Sequence, residues 1–521
     1  MRNPYPNDSQ DLSELCQQVL GDKRLILVSN RGPIEYRTGG GDGHESQACY
    51  GSGGVAVALS AAARYAPVAW VASAMTDADR QVAQRSEDNT IGGDSEGHPW
   101  RVRFVVMPCG VYERYYNLMS NPVLWFLQHS LWSRLERPSL RQDIQEDWEQ
   151  GYVPVNRRFA EAVLAELKMA DTAPCVMFHD YHLYLAPLHV RAQAPEAILT
   201  HFIHIPWPPP DTWQRLPWDI TEDICRGLLA NDVVSFQTPD SAHNFLATCE
   251  SFVAGAAVRL DPDGASIRLG SHLTKVRHHP ISVDVADLRR RMASPEVEAY
   301  SHKLSFLRGR YTIVRVDRVD PSKNIVAGFE AFDLLLQRHP ELIGQVKFLA
   351  LLVPSRTGIA EYRRYTAEVL AAIRNINSRY QRADWRPIEL LYENNYPQAL
   401  AAMSLYDALL VNSLADGMNL VSKEGPIVNE RDGVLVLSRA AGSHAELGEH
   451  ALSVDPTDIE GTAEALASAL SMPEAERRAR ADRLRQTIER NDLSVWLRSQ
   501  LEDVRSIALD RGARSAASVA R

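Results

Sequence analysis

The sequence predicts an α/β protein built on parallel sheets, and three observations carry that expectation. In the first half, PCVMFHD, ILTHFIHIP and VVSFQTP read as strands with helical segments between them, an alternation that calls for a parallel sheet with helical crossovers. The same alternation resumes in YTIVRVDR, VKFLALLV, IELLYEN, ALLVN and VLVLS. At 521 residues the chain is long enough for two domains, one for each run. Hydrophobic residues make up 45% and charged residues 23%, as is ordinary for a globular enzyme with a substantial core.

Several function classes are excluded early. The net charge is -10, and no Lys/Arg run offsets it before the sparse arginines near residue 521, which argues against nucleic-acid binding. The six cysteines (Cys16, Cys49, Cys109, Cys175, Cys225 and Cys249) show no CxxC spacing. They read as reduced thiols of a cytoplasmic protein, not as a disulfide framework or a zinc site. The start, MRNPYPNDSQDLSELCQQVL, has no basic stretch leading into an apolar core, and no window of eighteen apolar residues offers a membrane span.

Taken in order, residues 1–23 are expected as a polar arm with a short helix. RLILVSN is the first strand, and Arg31 follows its end. A glycine-rich loop then runs into an alanine-rich helix near Gly53 and Gly54, where glycines allow a backbone to approach a phosphate or sugar. Gly51, Gly53 and Ala56 fit GxGxxA, but a long loop separates them from the strand, so no nicotinamide cofactor is inferred. VAWVASAM and RVRFVVMP are further strands, and residues 112–134 form an aromatic-rich helical region.

The next strands end in polar residues: His179 and Asp180, His204, then Gln237. Open α/β sheets bind ligands at such carboxyl ends. His179 fits a structural role better; His204 is taken as a site residue. AAVRLDPDGASIRLGSHLTKVRHHP reads as a hairpin that closes the first half. The expected division is an arm at 1–23, a first domain at 24–284, a second at 285–490, a helix at 491–510 and a disordered tail at 511–521.

The most informative stretch is NSLADGMNLVSKEGPIVNE, Asn412 to Glu430, which follows the apolar strand ALLV. Asp416-Gly417 is a sharp turn, and LVSKE opens a helix whose first N–H groups can face a phosphate. Asp416 and Glu424 bracket that seat, and carboxylates accept hydrogen bonds from sugar hydroxyls. An isolated Asp-Gly is more often only a turn and a cap. Here YTIVRVDRVDPSKN, Tyr311 to Asn324, ends a second strand with Arg318, Asp320 and Lys323. Two cations at one strand end suit a diphosphate leaving group, because charge grows on its oxygens as the sugar bond breaks.

These two motifs, with SNRGP (Ser29 to Pro33), YYNLMSNPVLW (Tyr115 to Trp125), HDYHL (His179 to Leu183) and HIPWP (His204 to Pro208), resemble the trehalose-6-phosphate synthase family in sequence and order. The resemblance implies a retaining hexosyltransferase of GT-B fold, with two facing Rossmann-like domains and a cleft between them. It implies transfer of glucose from UDP-glucose or another NDP-glucose to glucose 6-phosphate, giving α,α-trehalose 6-phosphate. The base, uridine, guanosine or adenosine, is left open. By the family's pattern the last helices cross back onto the first domain.

The resemblance also implies roles for single residues. Arg318 and Lys323 match the diphosphate-binding pair; Leu420, Val421 and Glu424 match the phosphate and ribose contacts, with Asn419 counted among the donor-binding residues; Gly53 and Gly54 match the donor-loop glycines. Asp416 and His204 match groups that hold the transferred glucose, and Tyr396 is placed near the base. Arg318, Lys323, His204 and Asp416 are thus the expected catalytic set. On the acceptor side Arg31, Tyr116, Trp125, Asp180 and Arg356 match the glucose 6-phosphate pocket. Arginines can bind a phosphate dianion bidentately, whereas Asp180 has to face hydroxyls.

No cofactor and no metal are expected. The Asp77/Asp79 and Asp261/Asp263 patterns fall in expected turns and are not taken as metal ligands. Expected partners are the two sugar substrates, with no nucleic acid and no membrane; a homo-oligomer is compatible. Three departures from the family stand out: WVASAMTDADR replaces a tryptophan-glycine-tryptophan pattern, VDPSKN replaces the commoner diphosphate loop, and VNERDG and HIPWP are reminiscent of validoxylamine 7'-phosphate synthase. The alternatives are therefore a pseudo-sugar or glucosylglycerol-phosphate type synthase, or a non-catalytic sugar-phosphate-binding homologue.

Overall fold

The computed structural model describes residues 6–21, 24–38, 46–50, 58–92, 100–135, 140–169, 175–261, 264–307, 309–382 and 384–519. The chain forms two compact units. The first comprises Met1–Gln128, Arg137–His279 and Ser494–Arg521; the second comprises His129–Glu136 and Pro280–Leu493.

The first unit is centred on a ten-stranded sheet. Edge to edge its strands are Ala257–Asp261, Gly264–Leu269, His272–His278, Val233–Phe236, Ile198–Phe202, Cys175–His179, Leu25–Val28, Val68–Ser73, Trp100–Val105 and Thr90–Gly92. The strands from His272–His278 to Trp100–Val105 run parallel, and antiparallel strands finish both edges. LILV, VAWVAS and CVMFH are buried along their whole length, which is why they read as unbroken apolar runs. The expected hairpin is a three-stranded meander, whose third strand lies parallel to Val233–Phe236.

The second unit holds a six-stranded, wholly parallel sheet in the order Ile388–Leu391, Val346–Val353, Tyr311–Arg318, Ala408–Val411, Val434–Ser438 and Leu452–Val454. Side chains alternate across it and fill two separate cores. Val314 and Leu349 pack with Tyr406 and Leu484 on one face, while Ile313 and Phe348 pack with Phe329 and Phe332 on the other.

Four local features differ from the sequence expectation. Most of the expected polar arm is a helix, Pro6–Leu20. The helix Leu493–Val519 continues through residues expected as a disordered tail, where alanines and arginines are good helix formers. Asp77 and Asp79 sit in the first turn of a helix rather than in a turn, with Thr76 and Asp79 forming a capping box. The aromatic region 112–134 contains a π-helix, Glu113–Leu124, with Pro122 inside it. A second π-helical turn, Trp148–Tyr152, packs against it at Gly151, where an added Cβ would lie 2.7 Å from Arg114 Cβ. No described helix is long and apolar enough to cross a membrane.

Candidate active site

Each sheet has a switch point, where the chain leaves a central strand to one side and later returns on its other side; ligands of open α/β sheets bind outside the strand ends there. In the second unit the switch lies between Tyr311–Arg318 and Ala408–Val411, and in the first between Leu25–Val28 and Cys175–His179. Several of the predicted residues that the structure describes lie near these places.

In the second unit, Arg318 ends its strand with an exposed side chain. Asp320 follows and is fully buried. Its Oδ1 accepts from the Ser322 N–H at 3.0 Å, and its Oδ2 accepts from Arg356 Nη1 at 3.0 Å and the Tyr362 hydroxyl at 3.1 Å. Burial is the largest influence on this carboxyl and works against ionisation, but Arg356, Arg318 and His129 outweigh it and hold the pKa down to about 2. The turn Pro321–Lys323 is thereby capped, and Lys323 Nζ forms an ion pair with Asp416 Oδ2 from the neighbouring strand end.

Asp416 also accepts from Asn419 Nδ2 at 3.0 Å and the Ser413 hydroxyl at 3.2 Å. Burial raises its carboxyl, yet Lys323, Asn419 and His129 bring it below the ordinary range. Asn419 has φ 76°, and its Oδ1 accepts from the Ser422 N–H, in the first turn of the helix Val421–Val428, at 3.1 Å. That N–H, expected to await a phosphate, is thus already bonded. Gly442 allows the Asp416–Met418 turn to close: an added Cβ there would lie 1.8 Å from Gly417 O. Glu424 Oε1 accepts from the Tyr396 hydroxyl at 2.8 Å, and burial pushes its carboxyl up.

In the first unit the SNRG turn is pinned from below. Ser29 Oγ accepts from Trp70 Nε1 and donates to Arg31 O, both at 2.8 Å. Asn30 Oδ1 accepts from the hydroxyls of Ser73 at 2.9 Å and Tyr115 at 3.1 Å. Arg31 itself is 48% exposed, with Glu35 at 4.0 Å. Tyr116 lies stacked between Tyr112 and His182, with ring centroids at 5.5 and 5.9 Å. Trp125 is buried against Tyr181, whose hydroxyl donates to Asn121 Oδ1 at 2.7 Å.

Asp180 has φ 72°, a costly conformation for a residue with a side chain. It is held by its N–H donating to Phe202 O at 2.8 Å and by His201 Nε2 donating to its carbonyl at 3.0 Å. His179 Nδ1 meets His204 Nε2 at 3.2 Å, and His204 Nδ1 faces Gln237 Nε2 at 3.5 Å. Trp496, from the helix Leu493–Val519, packs on both rings. Burial lowers the pKa of His179 well below the usual histidine range, of His201 to about 4 and of His204 to about 3. These imidazoles are neutral at physiological pH.

The structure therefore brings Arg318, Lys323 and Asp416 together in one unit, with Asn419, Leu420, Val421, Glu424 and Tyr396 around the same switch point. It brings Arg31, Tyr116, Trp125 and Asp180 together in the other. Arg356 belongs to the second unit, bonded to Asp320. His204 belongs to the first, and both of its ring nitrogens face protein groups. Gly53 and Gly54 lie outside the described residues.

Sequence reasoning missed His129, which is buried and acts on both Asp320 and Asp416. It follows the matched YYNLMSNPVLW stretch by a few residues, and the segment His129–Glu136 belongs to the second unit. Asp79 has no ligand-like environment: its carboxylate accepts from the N–H groups of Tyr36, Met75 and Thr76. Among the described residues no group of three or more His, Cys, Asp or Glu is placed to hold a metal ion.

Comparison with known proteins places these features in context. The family model for Glycosyltransferase family 20 matches residues 23–506. The bifunctional trehalose-6-phosphate synthase/phosphatase of Thermoproteus tenax is 35% identical over 388 residues, which is 74% of this chain and 51% of that protein, so the match spans about half of the relative's length. A validamine 7-phosphate valienyltransferase of Streptomyces hygroscopicus is 29% identical over 495 residues, covering 94% of this chain and 96% of the relative. Among solved structures, an α,α-trehalose-phosphate synthase (UDP-forming) from Burkholderia xenovorans, in complex with glucose-6-phosphate, has a TM-score of 0.78 at 28% identity. It covers 92% of this chain and 100% of that one.

Proposed function

The chain belongs to glycosyltransferase family 20, and from that premise we propose that it transfers glucose from a nucleoside diphosphate glucose, UDP-glucose first, to glucose 6-phosphate, giving α,α-trehalose 6-phosphate with retention at the anomeric carbon. The observation that carries this reading is the Lys323–Asp416 pair beside Arg318, at the switch point of the second unit's sheet. Lys323 and Arg318 bind the diphosphate and take up the charge that grows as the glycosidic bond breaks. Asp416 holds hydroxyls of the transferred glucose, and Glu424 with Tyr396 receives the nucleoside.

The acceptor is held by the first unit's cluster. Arg31 binds the phosphate, Asp180 accepts from sugar hydroxyls, and Tyr116 and Trp125 flank the ring. Asp180 is suited to this because its strained backbone fixes where its side chain leaves the strand end. In this reading the leaving phosphate oxygen takes the proton of the incoming hydroxyl on the same face of the sugar. The protein supplies position and charge rather than a nucleophile, and the cations Arg318 and Lys323 serve where other enzymes use a metal.

The near full-length relative that transfers a valienyl group supports a second reading, in which donor and acceptor are pseudo-sugars. The intact HDYHL and DGMNLVSKE motifs favour the first. One assay separates them: release of nucleoside diphosphate from UDP-, GDP- and ADP-glucose, with and without glucose 6-phosphate. Release that depends on glucose 6-phosphate, with trehalose 6-phosphate as the product by mass and anomeric NMR, is expected. No release with any glucose donor by the folded protein would reject it.

A further inference from the structure

Arg315 stands in the middle of the strand YTIVRVDR, at a position wholly closed to solvent, where a central parallel strand ordinarily carries an aliphatic residue. A buried guanidinium is costly unless it is paired, and Arg315 is paired through two of its three nitrogens. Its Nε donates to Asp317 Oδ2 at 2.7 Å; its Nη2 donates to Lys323 O at 2.6 Å and to Asn412 Oδ1 at 2.5 Å. Its Nη1 is buried without a partner, packed where a Cβ on Gly328 would lie 2.2 Å away. Helix Ile325–Arg338 therefore needs a glycine at 328 to make room for this side chain.

The groups it joins are informative. Lys323 O lies at the base of the side chain that reaches Asp416, and Asn412 directly follows the strand Ala408–Val411 that leads to Asp416. The loop between them is pinned at further points. Leu414 N–H donates to Ser322 O at 2.8 Å, and Asn324, at φ 56°, donates to Asn412 O at 3.2 Å and Pro456 O at 2.7 Å. Arg315 is the charged centre of this lashing and touches both strand ends from beneath.

We propose that Arg315 is a positioning residue for the leaving-group cation: it locks the Lys323 turn to the Asn412 strand end, so that the Lys323 ammonium is set before the donor arrives. This rests on the reading of Lys323 as a diphosphate ligand. A lysine amine on a loose turn would have to be ordered as charge develops, which raises the barrier to transfer more than it weakens ground-state binding. The VDPSKN loop is thus held by a strut on the preceding strand.

The test compares Arg315→Lys, Arg315→Met/Asp317→Asn and Lys323→Ala, with UDP-glucose and glucose 6-phosphate as substrates. Arg315→Lys keeps a cation beside Asp317 but cannot span Lys323 O and Asn412 together. The double variant removes both buried charges, so its melting temperature reports whether folding alone is at stake. Both Arg315 variants are expected to lose about tenfold or more in kcat with less than about threefold change in donor KM, while the melting temperature of at least one stays near wild type. A wild-type kcat in either folded variant would overturn the inference, as would a loss that appears wholly in KM. If Lys323→Ala also turns over normally, the reading of the diphosphate site fails with it; if Lys323→Ala is inactive while Arg315→Lys is normal, this inference alone fails.

Discussion

Lys323 and Asp416 are joined as an ion pair, Nζ to Oδ2, across the ends of two neighbouring parallel strands. Asp416 keeps Asn419 and Ser413 as further partners, so the carboxylate remains satisfied when the ammonium shares its charge with a diphosphate. The cation can meet its substrate from where it stands without leaving a buried charge bare.

Removing either proposed diphosphate cation should therefore harm turnover more than folding. Lys323→Ala and Arg318→Ala are each expected to cost about 2 to 4 kcal/mol of transition-state stabilisation. Steady-state kinetics beside a thermal melt checks this; Arg318, whose side chain is exposed, should show the smaller change in melting temperature.

Tyr396→Phe deletes the hydroxyl that Glu424 accepts at 2.8 Å. Burial already pushes the Glu424 carboxyl up, and loss of a donor to the ionised form pushes it further the same way. The expected result is a donor KM raised about threefold to tenfold near neutral pH, corresponding to about 1 kcal/mol for one lost hydrogen bond, with kcat little changed. Donor titration by calorimetry would read it directly.

Gly442→Ala would set a methyl group 1.8 Å from Gly417 O, a backbone atom with no freedom to swing aside. The Asp416–Met418 turn has to shift. A destabilisation of about 1 to 3 kcal/mol is expected from such overpacking, with loss of donor binding beyond what the melt explains. Protection of Gly417 and Met418 amides in hydrogen exchange would show whether the turn has opened.

Stability should fall as the solution is acidified below neutrality. His201 is held neutral by burial, with a folded pKa of about 4 against 6.5 in the unfolded chain. Between those values the unfolded state binds the extra proton, so stability rises with pH and is lost as pH falls from 6.5 toward 4, by about 3 kcal/mol for this ring alone. Asp320 adds a second, more acidic loss: its pKa is depressed to about 2, so its contribution is whole above the unfolded value near 3.8 and disappears as pH drops through 2. Melting temperature against pH, with His201→Gln flattening the upper limb, checks both.

The fold was legible because its central strands are buried on both faces and so appear as plain apolar runs, LILV, CVMFH and VLVLS among them. Most of the residues proposed for the donor stand out in the sequence because they follow strand ends at a switch point, where polar residues after an apolar run are conspicuous. Arg315 was not, since a charged residue inside a strand reads as surface until its partners Asp317, Lys323 O and Asn412 are seen. His129 was hidden for another reason: its influence on Asp320 and Asp416 comes from a segment distant in sequence. The π-helix Glu113–Leu124 was read only as helix, because hydrophobic spacing does not separate its turns from ordinary ones.

The composition of the first unit from three stretches of chain bears on how the protein is made. During synthesis the ribosome delivers all of Pro280–Leu493 before any of Ser494–Arg521, so the second unit has its full sequence in hand first. Until Trp496 emerges, the rings of His179, Phe202 and His204 lack the indole that covers them. A nascent chain thus carries an unfinished apolar face through the translation of more than two hundred residues, the interval in which domain-by-domain folding leaves such a face open to chaperones.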